Sequence, residues 1–235
     1  MAIYIIGDLH LSLGIDKPMD IFGNNWENHH EKIKDDWINK VNETDTVILP
    51  GDFSWAMYIE EAYEDFKFLN DLPGKKIMSK GNHDYWWTTL TSMRKYLVEN
   101  DFKDIDFLYN NSYLVEEKVI VGTRGWVNAW KADENYKILK RENDRLKLSI
   151  EDGIKRFGKE REFICFIHYP PFYKESGVPE EIDFVNTLKT YGIKKCFYAH
   201  LHGDSHREAI EGLIDGIEYK LVSSDFLNFK LFKMN

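Results

Sequence analysis

Short apolar runs of strand length alternate with amphipathic stretches along the first half of the chain. The runs near residues 2–6, 46–49 and 75–79 are rich in Ile, Val, Leu and Met. Between them, residues 27–41 and 63–69 place apolar side chains at helical spacing, which predicts helices that cover one face of a sheet. Strands that alternate with helices of this length predict βαβ units and therefore parallel pairing.

The second half of the chain is richer in strand patterns. They predict strands at residues 112–122, 162–167, 194–199, 206–210 and 217–233. Turn-like residues at 116–118 and 212–216 predict hairpins, and a hairpin adds an antiparallel strand to a sheet. Together the two halves predict an α/β fold with mixed sheets.

Residues 133–159 combine a high density of charge with apolar side chains at helical spacing. This pattern is typical of a solvated surface helix with one buried stripe. A helix that binds a partner or a second copy of the chain is the less favoured interpretation.

Composition predicts one globular domain over residues 1–235, since 43% of the residues are apolar and neither a repeat nor a linker interrupts the chain. The apolar runs are far shorter than the roughly 20 residues of a membrane-spanning helix, and the N-terminus has no signal-peptide pattern. Cys165 and Cys196 lie inside apolar runs, as buried free thiols do. We therefore expect a soluble, cytoplasmic protein without a disulfide framework.

The net charge of −9 disfavours a long nucleic acid as partner, because the chain would repel its phosphates. A small substrate fits this charge better than a polymer does.

Polar side chains follow each of the first three predicted strands. Asp8 and His10 come after the first, Asp52 after the second, and Asn82 with His83 after the third. Ligands of open α/β sheets bind outside the carboxyl ends of parallel strands, so these loops are expected to converge. The two-residue step between Asp8 and His10 places both side chains on one side of an extended chain.

Two later strand patterns end in histidines, at His168 and at His200 with His202. Each motif alone has an ordinary explanation as a turn, a cap or a core residue, but five such motifs in order are not expected from independent structural roles. The donors outnumber what one ion uses, whereas two ions about 3.5–4 Å apart would share a carboxylate and use nearly all of them. The series predicts a two-metal hydrolytic site.

The ordered motifs resemble the signature of the calcineurin-like metallophosphoesterases, and among them a bacterial subgroup of predicted phosphohydrolases. The resemblance spans residues 7–202 and implies a four-layer αββα sandwich of two mixed β-sheets flanked by helices. It rests on Gly7-Asp8-Leu9-His10, Gly51-Asp52, Gly81-Asn82-His83-Asp84, His168 and His200-Leu201-His202.

The resemblance also implies two sets of metal ligands that share Asp52. One set is Asp8, His10, Asp52 and His202, and the other is Asp52, Asn82, His168 and His200. The ions are Mn, Fe or Zn, among which the ligand types do not discriminate. A hydroxide between them attacks phosphorus.

In the family pattern, His83 acts as the general acid and Asp84 orients its other ring nitrogen. Asp84 has an equally favoured alternative as the N-cap of a helix predicted over residues 85–97. Ala199 stands where the family usually has Gly, which leaves both imidazoles of the last motif in place.

Phe53, Ser54 and Trp55 follow Asp52, where phosphoprotein phosphatases have an Asp and an Arg. This departure disfavours a protein serine/threonine phosphatase. Since some diesterases of the superfamily replace the histidine of the third motif, the presence of His83 here leaves monoester cleavage open.

Aromatic side chains are frequent in the loops that border the expected site: Trp55, Trp86, Trp87, Trp126 and Trp130. Trp86 and Trp126 are the predicted substrate contacts among them, through stacking on a planar group, and the alternative is a packed rim. Arg124 is the predicted phosphate clamp, with a surface ion pair as its alternative. His29, His30 and His206 are expected outside the metal site.

The sequence thus predicts a dinuclear phosphohydrolase that acts on a small phosphomonoester or phosphodiester, with nucleotides among the candidates. One rival is a metallophosphoesterase-fold scaffold without turnover, which the retention of His83 and Asp84 disfavours. The other is a nuclease, which the acidic balance and the lack of a basic stripe disfavour.

Overall fold

The computed structural model describes residues 1–126, 133–172 and 183–234. The strands in chain order are β1 (Ile3–Ile5), β2 (Thr46–Pro50), β3 (Lys75–Ser79), β4 (Ile105–Phe107), β5 (Tyr113–Val115), β6 (Lys118–Thr123), β7 (Glu162–Ile167), β8 (Lys195–Tyr198), β9 (Gly212–Ile214), β10 (Ile217–Leu221) and β11 (Phe232–Met234). The helices are α1 (His29–Lys40), α2 (Tyr63–Asn70), α3 (Leu90–Glu99), α4 (Asp133–Phe157) and α5 (Phe184–Thr190).

The strands form two mixed sheets. The first has the order β11-β1-β2-β3-β4, in which β1 to β4 are parallel and β11 is antiparallel. The second has the order β5-β6-β7-β8-β10-β9, in which the four inner strands are parallel and the two edge strands close antiparallel hairpins. The hairpins predicted at residues 116–118 and 212–216 are confirmed.

Alternation along the strands sorts the apolar side chains into layers. On β1, Ile3 and Ile5 pack between the two sheets, whereas Tyr4 packs on the opposite face, in the core that contains Trp37 of α1 and Phe66 of α2. The side chains of a strand point alternately to its two faces, so one run of apolar residues serves two cores.

The second sheet divides its residues in the same way. On β7, Ile164 and Phe166 face the first sheet, while Phe163, Cys165 and Ile167 pack in the core that contains α4 and α5 residues. Helices therefore cover the outer side of each sheet, and the predicted four-layer αββα sandwich of mixed sheets is confirmed.

Some predicted boundaries are wrong. Residues 206–210 are not a strand; Gly203–Glu208 is a 3-10 helix, because the Ser205 hydroxyl and the His202 backbone close a capping box at its start. The long pattern at 217–233 contains a turn segment between β10 and β11, and β4 has no counterpart among the predicted strands. The helix predicted over 85–97 begins at Leu90.

Both cysteines are free and buried, and they face each other across β7 and β8. None of the helices in the described ranges is long and apolar enough to cross a bilayer. The long helix α4 carries charge along its length, as its sequence predicts.

Candidate metal centre

The predicted ligands lie in loops at the carboxyl ends of strands from both sheets. Asp8 and Asp52 follow β1 and β2, and their loops are joined by hydrogen bonds from Asp8 N to Gly51 O (3.0 Å) and from His10 N to Asp52 O (3.0 Å). On the other sheet, Ala199 N donates to His168 O (3.0 Å), which fixes the β8 loop against the β7 loop. Parallel neighbours thus deliver their loops to one place, as the topology predicts.

The backbone at this place is unusual. Asp8, His10, Asp52 and His200 all have positive φ values, of 56°, 45°, 52° and 75°. A non-glycine residue in this region costs on the order of 1–3 kcal/mol and persists only where the surrounding structure enforces it. Strain of this kind is concentrated at functional sites, and here it falls on four of the predicted ligands.

The structure brings six of the predicted ligands into two clusters. The first consists of Asp8, His10 and His202, and the second of Asp52, His168 and His200. Within each cluster the potential ligand atoms lie within 4.8 Å of one another.

The Asp52 carboxylate lies between the clusters. Its Oδ2 is 3.8 Å from His10 Nε2 and 3.5 Å from His168 Nε2, and this buried oxygen has no hydrogen-bond partner among the described residues. The other oxygen, Oδ1, accepts from His83 N at 2.7 Å. The carboxylate is therefore held by one oxygen and presents the other to both clusters.

Asp8 is arranged in a similar way. Its Oδ2 accepts from His200 N at 3.0 Å, while the buried Oδ1 lies 3.7 Å from His202 Nε2 and has no hydrogen-bond partner among the described residues. A buried carboxylate oxygen without a partner is costly, because it loses its hydration and gains nothing in return. Two such oxygens in one site fit cations that they would bind directly.

Second hydrogen bonds orient the imidazoles. His168 Nδ1 lies 3.1 Å from Pro50 O, and His202 Nδ1 lies 2.8 Å from Asp225 Oδ1. A proton on each Nδ1 leaves Nε2 with a free electron pair, which is the arrangement that metal-binding histidines use. Asp225 was not singled out in the sequence, since it belongs to none of the five motifs.

Asn82 completes the second cluster. Its Oδ1 lies 2.8 Å from His168 Nε2, so both nitrogens of that ring face oxygen acceptors. A neutral imidazole has only one N–H and cannot donate to both. A cation bound jointly by Asn82 Oδ1 and His168 Nε2 removes this conflict.

The electrostatics favour the same interpretation. Burial raises the pKa of Asp8 to about 6 and lowers the pKa of His200 to about 4. Burial also lowers the pKa of His10 and of His168, so these rings are neutral donors of electron pairs. The pKa of His202 is raised despite its burial, because the Asp8 and Asp225 carboxylates face it.

His83 lies beside the first cluster. Its ring packs on Trp55 with 4.1 Å between centroids and lies 5.6 Å from the ring of His10. Burial lowers the pKa of His83 to about 4, with a further contribution from Lys17. The structure therefore places this imidazole at the site in its neutral form.

The predicted role of Asp84 needs correction. Its buried carboxylate makes no hydrogen bond to the His83 ring, whose Nδ1 has no partner in the described part of the chain. Asp84 is not a helix cap either, because Thr89 caps α3 and accepts from Ser92 N. The carboxylate instead accepts from five N–H groups, those of the Asp52, Phe53, Ser54 and Gly81 backbone and of the Trp86 side chain.

The two tryptophans predicted to contact the substrate are each held by a hydrogen bond of their own. Trp86 is 1% exposed and donates from Nε1 to Asp84, so it cannot stack on a substrate. Trp126 is half-buried and donates from Nε1 to Asn135 Oδ1 (3.0 Å). Trp87 is buried as well, and Trp130 lies outside the described residues.

Trp55 has the surroundings that were predicted for a substrate contact. Its ring stacks on His10 with 4.9 Å between centroids and lines a cleft of about 650 Å³. Trp26 and Phe22 line the same cleft, together with His83 and Lys17. Trp26 and Phe22 were missed because they precede α1 and lie outside the strand-end loops.

Arg124 does not face this cleft. Its Nη2 lies 3.3 Å from Glu142 Oε1, and its guanidinium lies over the ring of Trp126 at 4.7 Å. Of the histidines expected outside the metal site, His29 is held between Trp26 O and Leu9 O. Neither His29, His30 nor His206 joins a metal cluster among the described residues.

Comparison with known proteins agrees with this geometry. The profile of the calcineurin-like phosphoesterase family matches residues 1–204. Similar solved structures include the protein of unknown function AQ665 from Aquifex aeolicus, with 16% identity, a TM-score of 0.50 and coverage of 99% of this chain and 95% of that one. Another is TT1561 of Thermus thermophilus, with 12% identity, a TM-score of 0.61 and coverage of 99% and 97%. No curated protein matches this chain significantly.

Proposed function

Because this chain belongs to the calcineurin-like phosphoesterase family, we propose that it is a metal-dependent phosphohydrolase whose two clusters bind two transition-metal ions. The observation that carries the proposal is the Asp52 carboxylate, whose unpartnered Oδ2 lies within 3.8 Å of a histidine nitrogen from each cluster. Asp52 would be the ligand that both ions share.

The remaining ligands divide between the two ions. Asp8, His10 and His202 would hold the first, and Asn82, His168 and His200 would hold the second. The donor set contains only nitrogen and oxygen, which suits Mn, Fe or Zn. When bound, the two ions supply an activated water as nucleophile and neutralise charge on the phosphoryl oxygens.

The side chains around the ions bind and orient the substrate. A small phosphomonoester or phosphodiester enters the cleft of about 650 Å³ beside the first cluster, where Trp55 and the exposed Phe22 contact its organic part. His83 lies at the same cleft and is placed to hydrogen-bond the phosphoryl or leaving-group oxygen. We place the protein in the cytoplasm, since its two cysteines are buried free thiols.

Hydrolysis of para-nitrophenyl phosphate and bis-para-nitrophenyl phosphate, after loading with Mn²⁺, tests the proposal. We expect Asp52→Asn to lower kcat at least about a hundredfold, since the neutral amide cannot replace a shared carboxylate. Asp45→Asn is the matched control: Asp45 is a buried carboxylate that accepts from Ala2 N and Asn42 N, remote from both clusters. Equal rates for Asp52→Asn and the parent would contradict the proposal.

The role of His83 has a separate test. In His83→Gln, hydrolysis of an alkyl phosphate is expected to fall about tenfold more than hydrolysis of para-nitrophenyl phosphate, because only the alkoxide needs a proton donor to leave. The negative charge of a bound phosphoryl group raises the pKa of the adjacent imidazole and so favours the protonated form that this role requires. An equal loss on both substrates would show that His83 binds the phosphoryl group and does not protonate the leaving group.

A further inference from the structure

A second pocket shares no lining residue with the cleft at Trp55. It has a volume of about 240 Å³ and is lined by the cations Lys80, Arg124, Arg141 and Arg145 and by the single carboxylate of Glu142. The whole chain has a net charge of −9. A concentration of positive charge in an acidic protein therefore needs a local explanation.

Glu142 cannot neutralise these cations. Its Oε1 lies 3.3 Å from Arg124 Nη2, 3.6 Å from Arg145 Nε and 3.9 Å from Arg141 Nε, so three guanidinium groups share one oxygen. Its Oε2 is occupied by the Thr123 hydroxyl at 2.9 Å.

Several donors of the pocket residues have no acceptor. Arg124 Nε, Arg145 Nε and Trp87 Nε1 are buried without a hydrogen-bond partner among the described residues, and Trp87 is only 7% exposed. Buried polar groups are nearly always satisfied, and an unpaired donor costs about 1–3 kcal/mol. All three belong to residues that line this one basic pocket, so donors outnumber acceptors in its lining.

Two residues of the pocket lining are linked to the second metal cluster. Lys80 comes two residues before Asn82, whose Oδ1 contacts His168. Arg124 O accepts from Tyr169 N at 2.9 Å, and the ring of Tyr169 packs on that of His200 with 4.2 Å between centroids. Gly81 along the chain and Tyr169 through its contacts thus link the pocket lining to ligands of the second cluster.

We propose that this pocket binds a second phosphoryl group of the substrate, so that the enzyme selects compounds that carry at least two phosphoryl groups. The inference rests on the proposed function for the first phosphoryl group. The pocket is smaller than the roughly 300 Å³ at which sites for drug-sized ligands begin, so it takes a charged fragment and leaves the organic part outside. Arginine suits this task because its planar group donates two parallel hydrogen bonds to phosphate.

Binding to the metal-free protein tests the pocket without the ions. Inorganic pyrophosphate is titrated into chelator-treated, dialysed protein by calorimetry, at low and at moderate salt. We expect binding to the parent to weaken with salt and to weaken at least about tenfold further in Arg145→Gln. Arg156→Gln is the matched control, since Arg156 lies on the same helix α4 but pairs with Asp152 outside the pocket.

Lys80→Gln provides a second variant in case Arg145→Gln does not fold, and the same loss of pyrophosphate binding is expected. In the Mn²⁺-loaded enzyme, Arg145→Gln is expected to raise KM for an alkyl bisphosphate about tenfold more than KM for para-nitrophenyl phosphate. The proposal would be overturned if the parent and both variants bind pyrophosphate equally well. It would also be overturned if Arg145→Gln changes KM for the alkyl bisphosphate and KM for para-nitrophenyl phosphate by the same factor. Failure of the parent to hydrolyse any aryl phosphate would instead count against the proposed function, and leaves the pyrophosphate titration as an independent test.

Discussion

Replacing Asp84 by asparagine probes how the fold positions the metal ligands. The Asp84 carboxylate joins two ligand loops, because Oδ2 accepts from Asp52 N at 2.9 Å and from Gly81 N at 2.7 Å. Its Oδ1 accepts from Phe53 N, Ser54 N and Trp86 Nε1. Burial raises the pKa of Asp84, and the four backbone N–H groups oppose that rise.

The magnitude follows from counting donors. Asparagine keeps one side-chain oxygen. This oxygen satisfies most donors in the position of Oδ1, where it accepts from Phe53 N, Ser54 N and Trp86 Nε1. The NH2 group then takes the position of Oδ2 and faces Asp52 N and Gly81 N. Two buried N–H groups lose their acceptor, at about 1–3 kcal/mol each, so the unfolding free energy falls by roughly 2–6 kcal/mol. For a chain of this length that corresponds to a fall in Tm on the order of 10 °C.

Metal affinity is expected to fall as well. Asp52 N and Gly81 N are the backbone groups of the loops that hold Asp52 and Asn82, so their displacement moves ligands of both clusters. Loss of such a supporting hydrogen bond typically lowers metal affinity about 10–100-fold.

Thermal unfolding of the metal-free protein and Mn²⁺ titration of the folded protein measure the two effects separately. Asp45→Asn serves again as the control, because it also removes a buried carboxylate that accepts backbone N–H groups. It is expected to lower Tm without lowering Mn²⁺ affinity. If Asp84→Asn leaves Mn²⁺ affinity within twofold of the parent, the assignment of Asp84 as a positioning residue is wrong.

Three further predictions concern backbone space, charge burial and metal removal. In Gly81→Ala, the new Cβ would lie 2.1 Å from Asp52 Oδ1. Mn²⁺ binding measured by calorimetry is therefore expected to weaken at least about tenfold. Unchanged Mn²⁺ binding would contradict the close approach of Gly81 to the Asp52 carboxylate. Lys76 is a buried amine, and its burial lowers its pKa to about 8. Between about pH 8 and 10.5 the unfolded chain therefore binds more protons than the folded chain. The unfolding free energy of the parent rises as the pH rises through that range. At pH 7, Lys76→Met is expected to have an unfolding free energy up to about 3 kcal/mol higher than the parent in urea unfolding, and this difference is expected to vanish by pH 10.5. A difference that does not depend on pH would show that burial of the charged amine is not its cause. Removal of metal by a chelator at pH 7 is expected to lower Tm, and added Mn²⁺ is expected to restore Tm, because ions that bind only the folded state stabilise that state. A Tm that neither treatment changes would argue against bound ions.

The ligand loops could be predicted from the sequence because the relevant rule is topological. A polar motif directly after a buried strand lies at the carboxyl end of that strand, so Asp8, Asp52 and His168 were expected to meet before any distance was known. The order of strand and helix patterns also predicted an α/β fold with mixed sheets, whereas the division into two sheets was implied by the family resemblance alone.

Supporting contacts could not be predicted in the same way. Asp225 lies 23 residues beyond His202, with β9 and β10 between them, and Asp84 accepts from a loop about 30 residues earlier. Such contacts depend on how loops pack in three dimensions. Which tryptophans line the cleft likewise depends on side-chain direction, which places Trp55 at the cleft and buries Trp86.

Short elements were the other source of error. The three-residue strand β4 has a polar residue at its centre, and its register with β3 is what makes it a strand. Residues 206–210 have some β-like composition, but the capping box of the preceding turn decides their conformation.

If two ions share Asp52, the number of ions that the chain retains depends on this carboxylate. Metal content per chain is measured by mass spectrometry after saturation with Mn²⁺ and removal of excess, for the parent and for Asp52→Asn. The account predicts two ions per chain in the parent and less than one in the variant, with both parent sites visible in anomalous diffraction on either side of the Asp52 carboxylate. A parent that retains one ion or none, or an Asp52→Asn protein that still holds two, would contradict it.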